Sequence, residues 1–347
     1  MFVVRPVEQK DGAALAALTS MATSGVHTLP KGRAAIDAAI ERSLASFGAD
    51  VDGPDAEAYL FVLESQDDGA LHGTAAIAAL AGSNGMFFAF RNDVIQQVSR
   101  DLDIRHSVHA LTLCSDLTGH SQLSSFFIER GRSAGVEAAL LSRARLLYAA
   151  GAPQRFNDKF FVSLAGITDA AGRSPFWEAL GRQFFQMDFL AAERAIAGAR
   201  NRSLIVELMP HYPVYVPLLP DEAKDVMGQV HFEGELPLAL LSAEGFSPDD
   251  FIDIFDGGAI LQAHKMALRS FNASVRRTVA EFDAQAEEDA RARGAARLTH
   301  LVATTGPMPF RAIVVESHTA GMALGLSAEQ RGALGVRCRD AVLTVTV

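Results

Sequence analysis

A histidine that follows a glycine in a loop-like segment is the first candidate for chemistry. It is His231, in Met227-Gly228-Gln229-Val230-His231. The pKa of an imidazole lies near neutrality, so a histidine in such a setting can give or take a proton at physiological pH. His231 is therefore a candidate general acid or base. The alternative is a structural role, because the chain contains 10 histidines.

Two carboxylates alternate along Ile252-Asp253-Ile254-Phe255-Asp256 and are followed by Gly257-Gly258. At the end of a strand, Asp253 and Asp256 could bind a guanidinium group through charge-assisted hydrogen bonds. They could equally cap a turn, which is common for an aspartate before a glycine pair. No cluster of His, Cys and Asp has the spacing of a metal site, and the two cysteines, Cys114 and Cys338, lie far apart. We therefore expect no metal.

A strand that runs into a helix at residues 121–141 suggests an anion-binding site. The loop amides and the helix N-terminus at such a junction attract phosphate groups. Arg132-Ser133-Ala134-Gly135 resembles the loop that binds the pyrophosphate of CoA in acyl-CoA transferases of the GNAT superfamily. Glu137 stands where that pattern has a small residue, and its carboxylate would repel a phosphate.

These residues are embedded in a mixed pattern of helices and strands, and no GxGxxG or P-loop motif is present. We predict an α/β (α+β) fold with a mixed sheet, divided into an acyl-CoA-binding core at 1–200, an extension with His231 at 201–262 and a strand-rich unit at 263–347. The pattern predicts helices at 33–47, 132–150, 221–228 and 236–244, and strands at 2–7, 58–64, 73–80, 86–90, 107–114, 122–128, 159–167, 203–209 and 251–255. Residues 281–295 fit a helix or an exposed linker.

Composition and charge argue against several classes of protein. Of the 347 residues, 49% are hydrophobic, and the net charge is −10 with no Lys/Arg stripe. Nucleic-acid binding therefore lacks its main electrostatic support. No apolar run reaches the length of a membrane span, and residues 1–6 do not resemble a secretory signal. We expect a cytoplasmic protein with no nucleic-acid or membrane partner.

Several long segments resemble bacterial arginine N-succinyltransferases. They are residues 111–127, 174–189, 207–223 and 244–258, together with Val3–Val7 and Thr28–Gly32. The resemblance implies a GNAT-like fold and transfer of a succinyl group from succinyl-CoA to the α-amino group of L-arginine, without a permanently bound cofactor. It also implies that His231 is the proton donor and that Phe126 contacts succinyl-CoA.

For the remaining roles we assign neighbouring polar groups. Backbone N–H groups near Ser125 and Phe127 would stabilise the oxyanion. Asp253 and Asp256 would bind the guanidinium of arginine, and Arg91 would bind the succinyl carboxylate.

Two departures from the family pattern leave alternatives open. Many members have Arg-x-x-Gly-x-Gly where this chain has Glu137, and Glu-Met-Arg-Gly where it has Ser163–Gly166. The α-type chains of hetero-oligomeric members share such departures. The chain is therefore expected to form a homo-oligomer or a hetero-oligomer with a paralogous subunit. Preference for ornithine, and a non-catalytic α-type subunit, are the alternative functions.

Overall fold

The structure is a computed structural model. It describes residues 1–23, 28–30, 32–83, 85–129, 135–195, 207–306, 308–318 and 321–347.

Fifteen strands of the described residues join in one mixed sheet. Their bounds are β1 Phe2–Pro6, β2 Ala58–Ser65, β3 Leu71–Ala78, β4 Ala89–Ser99, β5 Ile104–Cys114, β6 Ser121–Ile128, β7 Lys159–Ser163, β8 Val214–Tyr215, β9 Ser247–Ile252, β10 Ala259–His264, β11 Val275–Glu281, β12 Leu298–Thr304, β13 Ala312–Ser317, β14 Ala323–Leu326 and β15 Ala341–Thr346. Their order is β14-β11-β15-β12-β13-β1-β2-β3-β6-β7-β10-β9-β4-β5-β8. The predicted fold class, a mixed α/β fold, is confirmed.

Helices cover the sheet. They are α1 Gly12–Ser20, α2 Arg33–Gly48, α3 Val136–Gly151, α4 Pro175–Ala179, α5 Gly181–Phe185, α6 Phe189–Ala195, α7 Asp221–Val226, α8 Glu235–Glu244, α9 Arg269–Asn272, α10 Ala284–Ala292 and α11 Ala328–Leu334. Of the two possibilities for residues 281–295, a helix or an exposed linker, the structure shows a helix. Asp283 caps this helix, α10, by accepting from the N–H groups of Gln285 and Ala286. Among the described residues, no helix is long and apolar enough to span a membrane.

Most predicted strands are present, with shifted ends. The largest differences concern β4, which ends at Ser99, nine residues beyond the end of the predicted 86–90 strand, and β9, which ends at Ile252 rather than at residue 255. The outer parts of β4 and β5 are exposed on both faces, so they lack the alternation of apolar and polar residues that reveals a strand. Most of the predicted strand at 203–209 lies outside the described residues.

The sheet runs without a break through the three predicted segments of the chain. β1 pairs with β13 at Val4 and Ala312, and β10 pairs with β7 from Ile260 and Ser163 to His264 and Lys159. The strand-rich C-terminal segment therefore extends the same sheet. The division of the chain into domains remains a prediction.

Two neighbouring parallel strands of the sheet diverge after a short stretch of pairing. β6 and β7 pair in parallel from Ser121–Phe160 to Leu123–Val162, and their pairing ends there. On the other side of β6, the register with β3 shifts between Thr74 and Ala76, so β6 carries one extra residue. Such a β-bulge bends a strand and redirects its side chains. The divergence and the bulge together open the sheet beside residues 124–127.

Helix α3 seals one side of this opening. Its residues Ala138–Leu147 are all buried, so the helix is enclosed on all sides rather than amphipathic. Its apolar residues belong to the main core with side chains of β2, β3, β6 and β7. Two arginines, Arg143 and Arg145, are buried with them.

Candidate active site

A cavity of about 570 Å³ opens where β6 and β7 diverge. Its wall includes Ser124, Ser125 and Phe126 of β6, the segment 162–165 that ends β7, and parts of α2, β2 and β3. Both signs of charge are present, with the basic side chains of Arg42 and Arg145 and the acidic side chains of Glu193, Glu233, Asp253 and Asp256. A ligand with both anionic and cationic groups would therefore find partners in this cavity.

Ser125 forms the bulge and is locked in an unusual conformation. Its φ of 53° lies in the left-handed region, which costs energy for a residue with a side chain. Two hydrogen bonds to Thr28 hold it there: the Ser125 N–H donates to the Thr28 hydroxyl (2.7 Å), and the Ser125 hydroxyl donates to the Thr28 carbonyl (2.9 Å). The segment before α2 thereby fixes the shape of β6 at the cavity.

The two phenylalanines after the bulge lie in different environments. Phe126 lines the cavity, with the guanidinium carbon of Arg145 5.7 Å from the centre of its ring. Phe127 packs into a separate apolar cluster with Leu60, Val62 and Leu71. The structure thus brings Ser125 and Phe126 to the cavity, whereas Phe127 supports the strand from its other face.

His231 lies in a loop fixed to the cavity wall. Its N–H donates to the carbonyl of Ala165 (2.9 Å), and two residues that follow it, Glu233 and Gly234, line the cavity together with Ala165. The Gly228 N–H donates to the Gly257 carbonyl (2.8 Å), which ties the start of the loop to the turn after β9. The loop therefore bridges the end of β7 and the β9–β10 turn.

The imidazole of His231 is 5% exposed, and its proton is placed by its surroundings. The Nδ1 atom accepts a hydrogen bond from the Glu233 N–H (3.3 Å), so the neutral ring carries its proton on Nε2. Burial lowers the pKa of His231 below its ordinary value, against a smaller opposing effect of Glu233. The resting ring is therefore neutral at neutral pH, with Nε2 as its donor.

The two predicted aspartates meet in the β9–β10 turn and line the cavity. Asp253 accepts hydrogen bonds from the Ser163 hydroxyl (3.0 Å) and the Phe255 N–H (2.9 Å). Asp256 accepts from the N–H groups of Gly166 (2.8 Å) and Gly258 (2.9 Å). Both aspartates thus cap the turn, which was one of the two expected roles. Burial, together with the charge of Asp253, raises the pKa of Asp256.

Glycines allow the end of β7 to approach this turn closely. A Cβ on Gly166 would lie 2.5 Å from the Asp256 carbonyl oxygen, and one on Gly258 would collide with the Leu164 carbonyl. The carboxylate of Asp256 can therefore reach the Gly166 N–H only because both positions lack a side chain.

Comparisons with known proteins agree over nearly the whole chain. The family model for "Arginine N-succinyltransferase beta subunit" matches residues 2–270. The arginine N-succinyltransferase subunit alpha of Pseudomonas aeruginosa is 41% identical over 337 residues, which cover 97% of each chain. The arginine N-succinyltransferase of Yersinia pseudotuberculosis serotype O:3 is 36% identical, covering 100% of this chain and 98% of the relative. The chain belongs to the arginine N-succinyltransferase family.

The fold agrees with this membership. The solved structure of arginine/ornithine succinyltransferase subunit AI from Pseudomonas aeruginosa superposes with a TM-score of 0.89 at 38% identity, covering 100% of this chain and 98% of that one. The predicted family and the predicted acyltransferase class are confirmed. The matching descriptions name both an alpha and a beta subunit, so membership does not by itself assign a subunit type.

The arginine N-succinyltransferase site does not include every residue that the sequence suggested. Arg91 lies on β4 and does not line the cavity. Its Nε donates to Asp93 (2.7 Å) and its Nη1 donates to Asp116 (2.7 Å), so the guanidinium already has two carboxylate partners. This geometry does not favour Arg91 as the partner of the succinyl carboxylate, and that role stays a prediction.

The expected pyrophosphate loop is described only in part. Arg132 lies outside the described residues, whereas Gly135 is the N-cap of α3. A Cβ on Gly135 would collide with the carboxylate of Glu137, so that side chain folds back over the start of the helix. Glu137 thus places a negative charge where the helix N-terminus would attract a phosphate.

The sequence analysis missed Arg145, which is 1% exposed and lines the cavity. An arginine within Leu140–Leu147 would be expected to leave the core by its long side chain. The signal that was available is the apolar character of the helix on all sides, which leaves Arg145 no route to solvent.

Among the residues described, no group of three His, Cys, Asp or Glu side chains could hold a metal.

The lowered pKa of His231 predicts a pH dependence of stability. The folded state binds a proton on His231 less readily than the unfolded state does. The neutral ring therefore contributes fully to the free energy of unfolding above the ordinary pKa of about 6.5. This contribution is lost as the pH falls through the lowered pKa of the folded state. The free energy of unfolding of the natural chain should therefore drop more between about pH 7.5 and about pH 5.5 than that of His231→Asn.

Urea denaturation of both proteins at the two pH values measures this difference. His120 and His300, whose pKa values are also lowered by burial, are present in both proteins and cancel. Equal pH dependence of the two proteins would contradict the burial of a neutral imidazole at position 231.

Proposed function

We propose that the chain transfers the succinyl group of succinyl-CoA to the α-amino group of L-arginine, releasing CoA and N2-succinyl-L-arginine. The observation that supports this most strongly is the cavity at the β6–β7 divergence, with cationic and anionic side chains on its wall and the His231 loop at its edge. An acyl group that ends in a carboxylate and an amine that ends in a guanidinium require both signs of charge.

In this proposal the thioester lies against β6 at Phe126. The Ser125 N–H is already engaged by Thr28, so we assign the oxyanion contact to the N–H of Phe126. A backbone donor fixed by a bulge needs little reorganisation when the negative charge develops on the thioester oxygen. CoA extends toward Gly135 at the start of α3, and Arg132 is assigned to its pyrophosphate from the sequence alone.

In this proposal His231 transfers a proton between the attacking amine and the departing thiolate. The amine nitrogen of arginine attacks the thioester carbon, the C–N bond forms and the C–S bond breaks. The attacking amine is unprotonated, and its nitrogen becomes positively charged in the adduct. His231 Nε2 gives its proton to the departing sulfur in the same step in which the ring takes the proton that this nitrogen loses, so the imidazole is neutral before and after the reaction. The balance yields an amide and the CoA thiol without any other reactant.

The proposed role of His231 predicts a large loss of turnover in His231→Asn. The asparagine can still accept the Glu233 N–H but cannot exchange a proton, so kcat should fall by about 10²–10⁴-fold, as expected for a positioned acid or base. Release of CoA thiol, with N2-succinylarginine identified by mass spectrometry, measures the rate.

His264→Asn is the matched control. His264 also caps a short helical turn through Nδ1, which accepts from the Met266 N–H (3.2 Å), but it is exposed, and neither it nor the residues next to it line the cavity. It should retain natural turnover. If His231→Asn remains as active as this control, His231 is not the proton donor.

Asp253 and Asp256 are assigned to the guanidinium of arginine. A carboxylate attracts a guanidinium by charge and by bidentate hydrogen bonds, and a cation beside Asp256 would favour its charged form. Asp253→Asn should raise the KM for arginine on the order of 30-fold or more, with a much smaller change in the KM for succinyl-CoA.

Asp249→Asn is the control for this change. Asp249 lies on β9, the strand that leads into the turn with Asp253, is exposed, and accepts from the Gln262 side chain (2.7 Å) away from the cavity. Parallel changes in the two KM values of Asp253→Asn, or a similar effect at Asp249, would contradict the assignment. Specificity constants for arginine and ornithine, measured together, decide between the two amines.

An α-type subunit that depends on a paralogous partner is the second candidate. Two observations favour it: a 41% identical relative is named subunit alpha, and Glu137 covers the start of α3. The purified chain alone, assayed with succinyl-CoA and arginine, discriminates the two. Thiol release that depends on arginine supports a self-sufficient enzyme, whereas a folded but inactive chain supports the partner-dependent role.

A further inference from the structure

Arg145 has a guanidinium group buried in the wall of the cavity. Its Nε donates to the Ser142 carbonyl (3.0 Å), and its Nη1 donates to the carbonyls of Ala76 (3.2 Å) and Ser124 (3.1 Å). The last two residues flank the β3–β6 bulge. The guanidinium is therefore held at the point where the sheet opens.

The charge of Arg145 has no carboxylate partner among the described residues, unlike those of the other buried arginines. Arg5 lies 2.7 Å from Asp11, and Arg143 lies 3.0 Å from Glu244. Burial alone lowers the pKa of Arg145 to about 9, with no opposing acid. A buried cation without a counter-charge is strongly unfavourable, so an anionic ligand at this point would be bound firmly.

The guanidinium also has donor capacity left. Of its five N–H bonds, three are used by the carbonyls named above, and one Nη2 hydrogen points to the Ser142 hydroxyl at the long distance of 3.5 Å. The other Nη2 hydrogen has no partner among the residues that the structure describes. A carboxylate oxygen would satisfy it with a charge-assisted hydrogen bond.

The distance to the proposed thioester position suits a succinyl group. Arg145 contacts both the Ser124 carbonyl and the ring of Phe126, the residue to which the thioester is assigned. In a succinyl group, three carbon–carbon bonds of roughly 1.5 Å separate the thioester carbon from the distal carboxyl carbon, an extended span of about 4 Å. A thioester at Phe126 would therefore bring its distal carboxylate close to Arg145.

We propose that Arg145 binds the free carboxylate of the succinyl group and thereby selects dicarboxylic acyl-CoA thioesters over monocarboxylic ones. This inference rests on the proposed function, and it assigns the carboxylate to an arginine that lines the cavity, whereas Arg91 does not. The other basic side chain on the wall, Arg42, is more exposed, and its guanidinium donates to the Ala56 carbonyl and the Ser83 hydroxyl. Its charge is better screened by solvent.

Calorimetric titration with succinyl-CoA and butyryl-CoA, in the absence of amine, tests the proposal. The two thioesters have acyl chains of equal length, and only the first ends in a carboxylate. For Arg145→Gln, the Kd of succinyl-CoA should rise on the order of 10²-fold while that of butyryl-CoA changes little. If both Kd values rise together, Arg145 only supports the bulge. If neither changes, it does not face the acyl group.

Arg145→Lys provides a variant that keeps the charge, in case the glutamine variant does not fold. An ammonium cannot reproduce the guanidinium fork, so the ratio of the two Kd values should fall between those of the natural chain and of a variant without the charge. Arg143→Lys, on the same helix but outside the cavity wall, should keep the natural ratio. An unchanged ratio in Arg145→Lys would overturn the assignment.

Binding also separates this inference from the proposed function. A natural chain that prefers succinyl-CoA but releases no thiol with arginine would contradict catalysis by the isolated chain and leave the Arg145 assignment supported. A chain that is active, with the natural ratio retained in both Arg145 variants, would contradict only the assignment of Arg145.

Discussion

The hydrogen bonds between Thr28 and Ser125 hold the feature on which the site depends. They keep a residue with a side chain in the left-handed region and so fix an extra residue in β6. The bulge and the end of β6–β7 pairing at Leu123 and Val162 open a gap in an otherwise continuous sheet. A gap between parallel strands offers backbone N–H groups to a ligand, which a fully paired sheet cannot do. The proposed acyl-CoA site is thus a local interruption of the sheet.

Three segments distant in sequence complete the gap. Helix α3 closes one side with Arg145, the turn after β9 supplies Asp253 and Asp256, and the loop with His231 joins that turn to the end of β7. Close approach at Gly166 and Gly258 makes this junction rigid. Cationic and anionic groups lie on one wall as a result, and their separation in the sequence explains why no short motif contains them all.

Much of this could be predicted from the sequence, and the reasons for the failures are physical. Helix α2 and strands β2 and β7 begin where periodicity and turn residues predict, and the candidates His231, Asp253 and Phe126 lie at or beside the cavity. Pairing between β1 and β13 could not be predicted, because it joins residues about three hundred positions apart by backbone groups that every residue has. The pairing of Arg91 with Asp93 and Asp116 could not be predicted, because Asp116 approaches it only in the folded chain. Arg145 was missed because burial of a long cation depends on tertiary packing.

The central claim is that the acyl group lies at the β6 bulge. A crystal structure with a non-hydrolysable analogue of succinyl-CoA, in which a methylene group replaces the thioester sulfur and the carbonyl is kept, tests it most directly. We predict that the acyl oxygen lies within hydrogen-bonding distance of the Phe126 N–H, between β6 and β7. An analogue bound elsewhere, such as the open cavity lined by His120, Lys159 and His264, with the β6–β7 gap left empty, would contradict the account.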